Sequence, residues 1–144
     1  SIKSVIIPST LSTWTSSYAF MECTQLTSVT FNATGLTKIP ASSFAKDSAL
    51  PSISLPTKIV TIENYSFQEC TSLTTMTLGA TAKMTFGTYA LKDSGIKTIN
   101  YAGKMATMKT STFKSKSIPD GTVIKCSDGD LTVSQTDAGV VSVA

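Results

Sequence analysis

A short motif recurs five times along this 144-residue chain at a nearly constant interval. In each copy a small residue precedes a large apolar residue, and the large residue returns after 24, 23, 24 and 22 positions. The copies are Tyr18-Ala19-Phe20, Ser42-Ser43-Phe44, Tyr65-Ser66-Phe67, Tyr89-Ala90-Leu91 and Ser111-Thr112-Phe113. A period of this length is typical of a solenoid, whose units bury their apolar sides only against their neighbours. We therefore expect the five closing residues, called anchors below, to line up inside one spiral.

Each unit also carries the pattern of a short strand after its anchor. Residues 75–78, Thr-Met-Thr-Leu, alternate polar and apolar side chains, which places the apolar ones on one face of a strand. A second apolar pair, such as Ile59 and Ile62, predicts an extended return towards the next anchor. The small residue before each anchor favours one helical or 3₁₀ turn. Stacked units would then place their strands in parallel, roughly 4.8 Å apart.

The C-terminal residues predict a closing hairpin. Two β-prone runs, residues 122–126 and 131–134, flank Asp128-Gly129, and Asp-Gly between such runs is a hairpin signal. We expect residues 118–134 to form the last strand and this hairpin, and residues 135–144 to form either a final strand or a loose tail. Residues 1–126 would then be a solenoid of about five units, the first incomplete, and residues 127–144 its cap and tail. The first strand has no comparable cap. Either its open edge suits a monomer or a weak dimer, or the chain is part of something longer.

Composition excludes two partner classes. The net charge is +3, and all twelve basic residues are scattered lysines, whereas nucleic-acid surfaces cluster basic residues and include Arg. We expect no nucleic-acid partner. No apolar run reaches about 18 residues, so we expect no membrane span in this chain.

The three cysteines are expected to be free. Cys23 and Cys70 occupy the same repeat position two units apart, which separates them by roughly 10 Å at the spacing of stacked strands. A disulfide needs Cα atoms within about 7 Å. Cys126 lies in the end strand, further from Cys23 than from Cys70. The chain has no His and no Cys-x-x-Cys, so neither a metal site nor a cofactor is expected.

Catalysis has little support in the sequence. There is no His to act as a general base and no Gly-x-Ser-x-Gly motif. Glu22 and Glu69 share one repeat position, to which we also assign Lys46 and Lys92. The two glutamates could mimic the separation of the catalytic acids in an inverting glycosidase, roughly 6.5–9.5 Å. Any repeat generates such alignments, so we expect no enzyme. Asp128 and Asp130 could bind a hard cation, but a turn accounts for them better.

Several units carry the pattern of a known repeat family. The unit running from Ile62 to Leu78 closely resembles the BspA-type leucine-rich repeat, whose pattern is roughly I-x-x-x-A-F-x-x-C-x-x-L-x-x-I-x-L-P. The preceding unit fits as well, except for Asp47 where Cys is usual. The resemblance extends over about residues 2–126. It implies a leucine-rich-repeat solenoid, a β-rich α/β superhelix with a single parallel sheet, short helical or 3₁₀ turns and a C-terminal β-hairpin cap.

The resemblance also implies a class of function. Similar repeats occur in surface and secreted proteins of anaerobic gut and oral bacteria and of some mucosal parasitic protists, where they act in adhesion. It therefore implies a non-enzymatic, extracellular or cell-surface, adhesin-like module that contacts a protein or glycan of a host or neighbouring cell. The family offers no catalytic motif to transfer.

Leucine-rich-repeat proteins commonly bind partners on the exposed face of their strands. Here that face would carry two columns of short polar side chains, which recur at fixed places in each strand. The columns are nearly uncharged, since charged residues are only 15% of the chain and Ser and Thr supply most of its polarity. The candidate binding residues are Ser28, Thr30, Ser52, Ser54, Thr75, Thr77, Thr98 and Asn100, with Ser4 and Ile6 beginning the two columns. The alternative is that these side chains only solvate the sheet, since they include no aromatic or Arg anchor.

Three further interpretations stay open. The tyrosines Tyr18, Tyr65 and Tyr89 recur at one position, where they would pack against neighbouring coils or, if exposed, suit stacking of carbohydrate. The chain could also be a structural spacer that displays other domains. A β-solenoid carbohydrate-active enzyme would require carboxylates that converge in a cleft.

Overall fold

The chain winds through about five turns, with short strands on two sides of each turn and almost no helix. The computed structural model describes all residues from 1 to 144. The strands are β1 Ser4–Ile7, β2 Ser28–Phe31, β3 Lys38–Ile39, β4 Ser52–Ser54, β5 Thr61–Ile62, β6 Thr75–Leu78, β7 Thr85–Phe86, β8 Thr98–Tyr101, β9 Val123–Cys126, β10 Gly129–Gln135 and β11 Val141–Val143. Two 3₁₀ turns, η1 Met105–Thr107 and η2 Thr110–Thr112, lie between β8 and β9.

Strands from successive units pair in parallel, and this confirms the predicted leucine-rich-repeat solenoid. Strands β4, β6, β8 and β9 run side by side in register, with Ile53 opposite Met76 and Met76 opposite Ile99. The structure differs from the expected single sheet in two respects. The returning segments β3, β5 and β7 form a second parallel sheet, in which Ile39 lies opposite Ile62.

The first sheet is also divided, because β1 and β2 pair only with each other. Two prolines account for the break. The residues before β2, β6 and β8 donate their N–H groups to the preceding unit, as Thr74 does to the carbonyl of Pro51 at 3.0 Å. Pro51 holds this place before β4, and Pro56 holds the equivalent place after it. Since proline has no N–H, β4 lacks both flanking hydrogen bonds on the side that faces β2.

The turns around the anchors adopt an unusual backbone conformation. The residues two before and two after an anchor have positive φ, for example 61° at Tyr65 and 59° at Glu69 around Phe67. Each anchor N–H donates to the carbonyl before the next anchor, as Phe44 does to Ser66 and Phe67 does to Ala90, both at 2.8 Å. Left-handed conformations cost an L-residue roughly 1–2 kcal/mol. These hydrogen bonds between turns hold the residues in that conformation.

The fifth anchor differs from the prediction. Leu91 donates its N–H to Ser117, so the residue in register is Ile118, which is fully buried, and Lys116 has the matching positive φ of 48°. Phe113 instead stacks on Phe86 in the returning side, with ring centroids 5.1 Å apart. The prediction for Phe113 is therefore wrong. The turns η1 and η2 lengthen this unit, which shifts its anchor towards the C-terminus.

The anchors form a continuous stack in the core. The rings of Phe20 and Phe44 lie 5.6 Å apart and those of Phe44 and Phe67 lie 5.3 Å apart, all nearly parallel. Trp14 packs edge-on against Phe44 at 5.8 Å. Phe44, Phe67 and Leu91 are completely buried, whereas Phe20 in the first turn is only half-buried. Stability is therefore concentrated in the middle turns.

A buried polar column runs beside the anchors. The third residue after each anchor is Cys23, Asp47, Cys70 or Ser94, and Asp47 is completely buried. Its Oδ1 accepts a hydrogen bond of 2.8 Å from the Cys23 N–H, but its Oδ2 has no partner. Burial raises the pKa of the Asp47 carboxyl from 3.8 to about 7, although the bond from Cys23 acts in the opposite direction. Asp47 thus separates the two cysteines of this column, and all three cysteines are unpaired.

The C-terminal residues form the predicted hairpin, and the tail that follows it contains a final strand. Strand β9 extends the parallel sheet beside β8, β10 pairs antiparallel with β9, and β11 pairs antiparallel with β10. The hairpin turn consists of Ser127 and Asp128, since Cys126 already pairs with Gly129. The Oδ1 atom of Asp128 accepts a hydrogen bond of 2.8 Å from the Met105 N–H. Asp128 therefore ties the hairpin to η1.

The stacked core predicts a large effect of removing one ring. Phe67→Ala should lower the free energy of unfolding by about 3–5 kcal/mol, because it leaves a cavity between neighbouring turns. Denaturant unfolding followed by circular dichroism would measure the change. As a control, Thr77→Ala on the exposed side of β6 should change stability by less than about 0.5 kcal/mol. A loss below about 1 kcal/mol for Phe67→Ala would contradict its place in the core.

The buried carboxyl predicts a protein that is more stable in acid. The pKa of Asp47 is higher in the folded state than in the unfolded chain, so the folded state retains a proton that the unfolded chain releases. The free energy of unfolding should therefore fall by about 1–3 kcal/mol as the pH rises from about 4 to about 7, and then level off. Thermal unfolding across this range would measure the slope.

The variant Asp47→Cys tests whether Asp47 causes this pH dependence of stability. It introduces the residue found at the equivalent positions of Cys23 and Cys70, and it should remove the slope and raise stability above pH 7 in the presence of reductant. Asp130→Asn, at an exposed position of β10, should keep the wild-type slope. Parallel pH profiles for wild type and Asp47→Cys would show that Asp47 is not the titrating group.

The thiols give a further check on the stacking. Under denaturing conditions a thiol reagent should label three cysteines, because no pair is bonded. In the native state Cys70 should react last, since it is completely buried and its Sγ lies 3.0 Å from the Phe44 carbonyl oxygen. Mass spectrometry of the labelled peptides would distinguish the three. A count of one thiol would refute the unpaired arrangement.

Candidate interaction surface

The candidate binding residues lie together on the exposed side of the strands, a surface called the strand face below. Ser52, Thr75 and Thr98 are opposite one another in the sheet, and Ser54, Thr77 and Asn100 form the neighbouring column. In the two-stranded sheet, Ser28 lies opposite Ser4 and Thr30 opposite Ile6. Ser28, Thr30, Ser52, Ser54 and Thr77 are exposed, whereas Thr75, Thr98 and Asn100 are half-buried.

The strand face is held in place by the core beneath it. Alternate residues of the same strands, Ile53, Met76 and Ile99, point inwards and are buried. Each polar side chain is thus fixed at the sheet spacing of about 4.8 Å from its neighbours in the column. The break between β2 and β4 separates Ser28 and Thr30 from this regular array, because those two strands share no hydrogen-bonded register.

The strand face is uncharged over most of its length. No charged side chain belongs to either column from β1 to β8. On the next strands Lys125 follows Asn100 in register, and Asp130 lies opposite Lys125. Every hydroxyl on this face can both donate and accept a hydrogen bond. The surface is therefore suited to hydrogen bonding with peptide groups or with sugar hydroxyls, and it has no aromatic side chain at its centre.

Tyr18, Tyr65 and Tyr89 lie on the outer side of the anchor turns and form what we call the tyrosine ridge. Tyr18 is 63% exposed and Tyr65 is 38% exposed, while Tyr89 is half-buried. The rings of Tyr65 and Tyr89 meet edge to face at 5.5 Å, and the ammonium of Lys92 lies 4.9 Å from the centre of the Tyr89 ring. Ser42 interrupts the row. The tyrosines thus pack on neighbours and still expose aromatic surface.

Charged side chains on the turns form pairs. Glu22 lies 3.4 Å from Lys46, and Lys38 lies 3.2 Å from Glu63. The shared position two residues after the anchor belongs in the fourth unit to Asp93, as its positive φ of 57° shows, so the assignment of Lys92 to it is wrong. Lys46 occupies that position between Glu22 and Glu69. The two glutamates are therefore separated by a cation and do not converge.

The environment of the three cysteines disfavours their ionised, reactive form. Burial raises the pKa of Cys23, Cys70 and Cys126, so these thiols stay protonated and are weak nucleophiles at neutral pH. The pKa of Cys70 is raised to about 12. No group of three or more Cys, Asp or Glu side chains is close enough to hold a metal ion. No helix has the length and apolar character needed to cross a bilayer.

Comparisons with known proteins agree with this geometry. The model of the BspA type leucine rich repeat region matches residues 1–119 as six copies. The chain is similar to a leucine-rich repeat protein from Bacteroides ovatus ATCC 8483, whose crystal structure was determined at 1.19 Å resolution. The two share 26% sequence identity with a TM-score of 0.57 over 87% of this chain, which spans only 34% of that protein. No curated protein matches the sequence. Since the repeat model covers most of its length, the chain belongs to the BspA-type leucine-rich repeat family.

Proposed function

We propose that this chain is a non-enzymatic binding module of a secreted or cell-surface, adhesin-like protein, and that its strand face contacts a protein or glycan of a host or neighbouring cell. Repeats of this family form protein-interaction modules. The adhesive role and the location outside the cell rest on the family, and the choice of surface rests on the structure. In this proposal residues 1–126 form the binding solenoid and residues 127–144 close its C-terminal end.

The observation that carries the proposal is the uncharged double column on the strand face. Strands β4, β6 and β8 hold six polar side chains in two straight rows, with Thr75 and Thr77 at their centre. A rigid array needs little ordering when a partner binds. Little of the binding free energy is therefore lost to side-chain entropy. Neutral hydroxyls also avoid the desolvation cost of buried charges.

The same surface predicts weak binding by a single module. Tight interfaces usually contain an aromatic or Arg side chain in a central pocket, and the strand face has neither. Weak sites become effective when several act together on one partner. The similar protein from Bacteroides ovatus is about three times as long as the matched segment, because this chain covers 34% of it. We therefore expect function in a multivalent setting.

We further propose that the chain is a monomer or a weak dimer that pairs through β1. Strand β1 pairs with β2 on one side, and Ile2 and Ile6 are 48% and 66% exposed. A strand edge with exposed apolar side chains can pair with a second chain. Such a contact is small, which suits association only at high concentration.

One observation favours a second candidate, a structural spacer that displays other domains. The strand face lacks the side chains that usually dominate binding energy, and a solvated sheet needs only such hydroxyls. The two candidates differ in a single property, the affinity of the strand face for a partner. The separated glutamates Glu22 and Glu69 give a carbohydrate-active enzyme no comparable support.

A binding screen with charge variants distinguishes these candidates. The wild-type chain, displayed in multiple copies on beads, should bind at least one immobilised matrix protein or glycan. The triple variant Ser28→Lys, Ser52→Lys and Thr75→Lys should weaken that binding about tenfold or more, since it places three ammonium groups in the contact. Circular dichroism should show that the variant keeps the wild-type fold.

A matched control adds the same charge elsewhere. Thr10→Lys, Thr34→Lys and Ser72→Lys change exposed residues outside the strand face, and this variant should bind as the wild type does. Equal binding by both triple variants would remove the strand face as the site. Failure of the wild type to bind any matrix protein or glycan in the screen would favour the spacer.

A further inference from the structure

The largest cavity of the structure is a cleft between the fourth anchor turn and the C-terminal strands. Its volume is about 580 Å³. One wall comes from residues 92–94, the second from residues 116–120 and the third from residues 135–137, which lie at the end of β10 and just beyond it. Ile118 and Pro119 are the only apolar side chains among the lining residues. The cleft lies at the end of the solenoid and is separate from the two columns of the strand face.

The walls of this cleft are fixed to one another by hydrogen bonds. The Asp120 carboxylate accepts a bond of 2.8 Å from the Gln135 N–H, which joins the second wall to the third. Lys116 donates its N–H to the Gly139 carbonyl at 3.2 Å, and Leu91 donates to Ser117 at 2.8 Å. The cavity is therefore formed before any ligand arrives, which is usual for small-molecule sites, and its volume lies within their range.

The chemistry of the lining suits a neutral ligand rich in hydroxyl groups. Lys92 and Lys116 supply donors, whereas Asp93, Asp120 and Asp137 supply acceptors. An anion would face three carboxylates and a metal ion two ammonium groups, so neither is matched by the whole lining. Hydroxyl groups both donate and accept, and they can satisfy both kinds of side chain.

Aromatic surface beside the cleft also supports such a ligand. Lys92 lies over the Tyr89 ring, so the tyrosine ridge adjoins the cleft. Aromatic surface beside a polar cleft suits the apolar face of a sugar ring.

We propose that this cleft binds an oligosaccharide, as a second site that is distinct from the strand face. The sugar hydroxyls bond to Lys92 and Asp137, and the ligand extends towards Tyr89 and Tyr65. The proposal does not depend on what the strand face binds. It assigns a carbohydrate contact to the C-terminal end of the module.

Titration of the full ¹⁵N-labelled chain tests this site. The probes are N,N′-diacetylchitobiose, N-acetyllactosamine, maltotetraose and mannobiose, each followed through backbone amide resonances. At least one probe should shift resonances of residues 92–94, 116–120 and 135–137 in a saturable manner. The double variant Lys92→Ala and Asp137→Ala should bind that probe about tenfold or more weakly, because it removes a donor and an acceptor from the lining.

Matched controls separate the cleft from the strand face. Lys125→Ala and Asp130→Ala remove the same two kinds of charge from β9 and β10 and should leave the affinity unchanged. The strand-face variant Ser28→Lys, Ser52→Lys and Thr75→Lys should also bind the probe as the wild type does, even if it no longer binds a matrix protein. The proposal is overturned if no probe shifts the cleft resonances, or if the double variant at Lys92 and Asp137 binds as tightly as the wild type.

Discussion

The hydrogen bonds between successive anchor turns are the interaction on which the whole spiral depends. Phe44 donates to Ser66 and Phe67 to Ala90, and these bonds set the rise from one turn to the next. With that rise fixed, the anchor rings stack at 5.3–5.6 Å and the strands fall into parallel register. They also hold residues such as Tyr65 and Glu69 in a left-handed conformation that is unfavourable in isolation. Because each turn contacts only its neighbours, a change at one anchor is felt mainly by the two adjacent turns.

The repeat made the solenoid, its strands and four of its anchors predictable, since apolar residues that return at a fixed interval in the twenties are typical of stacked units. The fifth anchor was missed for a physical reason. A large apolar residue after a small one also suits the returning side, where Phe113 stacks on Phe86. Phe113 follows Leu91 by 22 residues, so the interval favoured it over the buried Ile118 further along the chain. The positive φ values were beyond prediction, because Tyr, Glu and Lys rarely adopt them without the bonds to neighbouring turns. The second sheet could not be predicted from the sequence either, because its strands are only two residues long.

The strand face and the C-terminal cleft also differ in how far the sequence predicts them. The columns of the strand face follow from the two-residue period of a strand, so their residues could be named from the sequence, although their role as a binding site is a proposal. The cleft could not be found in this way. Its walls come from segments around Ser94, Lys116 and Thr136, which no motif links and which meet only because β10 and β11 fold back beside the last turn. Asp47 could be predicted only in part. The sequence places it at the repeat position of the cysteines, but does not show that one of its carboxylate oxygens is buried without a partner.

The prolines on either side of β4 have a mechanical consequence. Where Pro51 and Pro56 interrupt the sheet, the β1–β2 ribbon is coupled to the remaining turns through the anchor turns and side-chain packing, without a strand ladder. We expect such a seam to be more compliant than the part of the spiral where the strands are paired. If a module of this kind carries load between two surfaces, we expect it to yield first at the seam, so that the ribbon peels away while the strands from β4 to β9 keep their register.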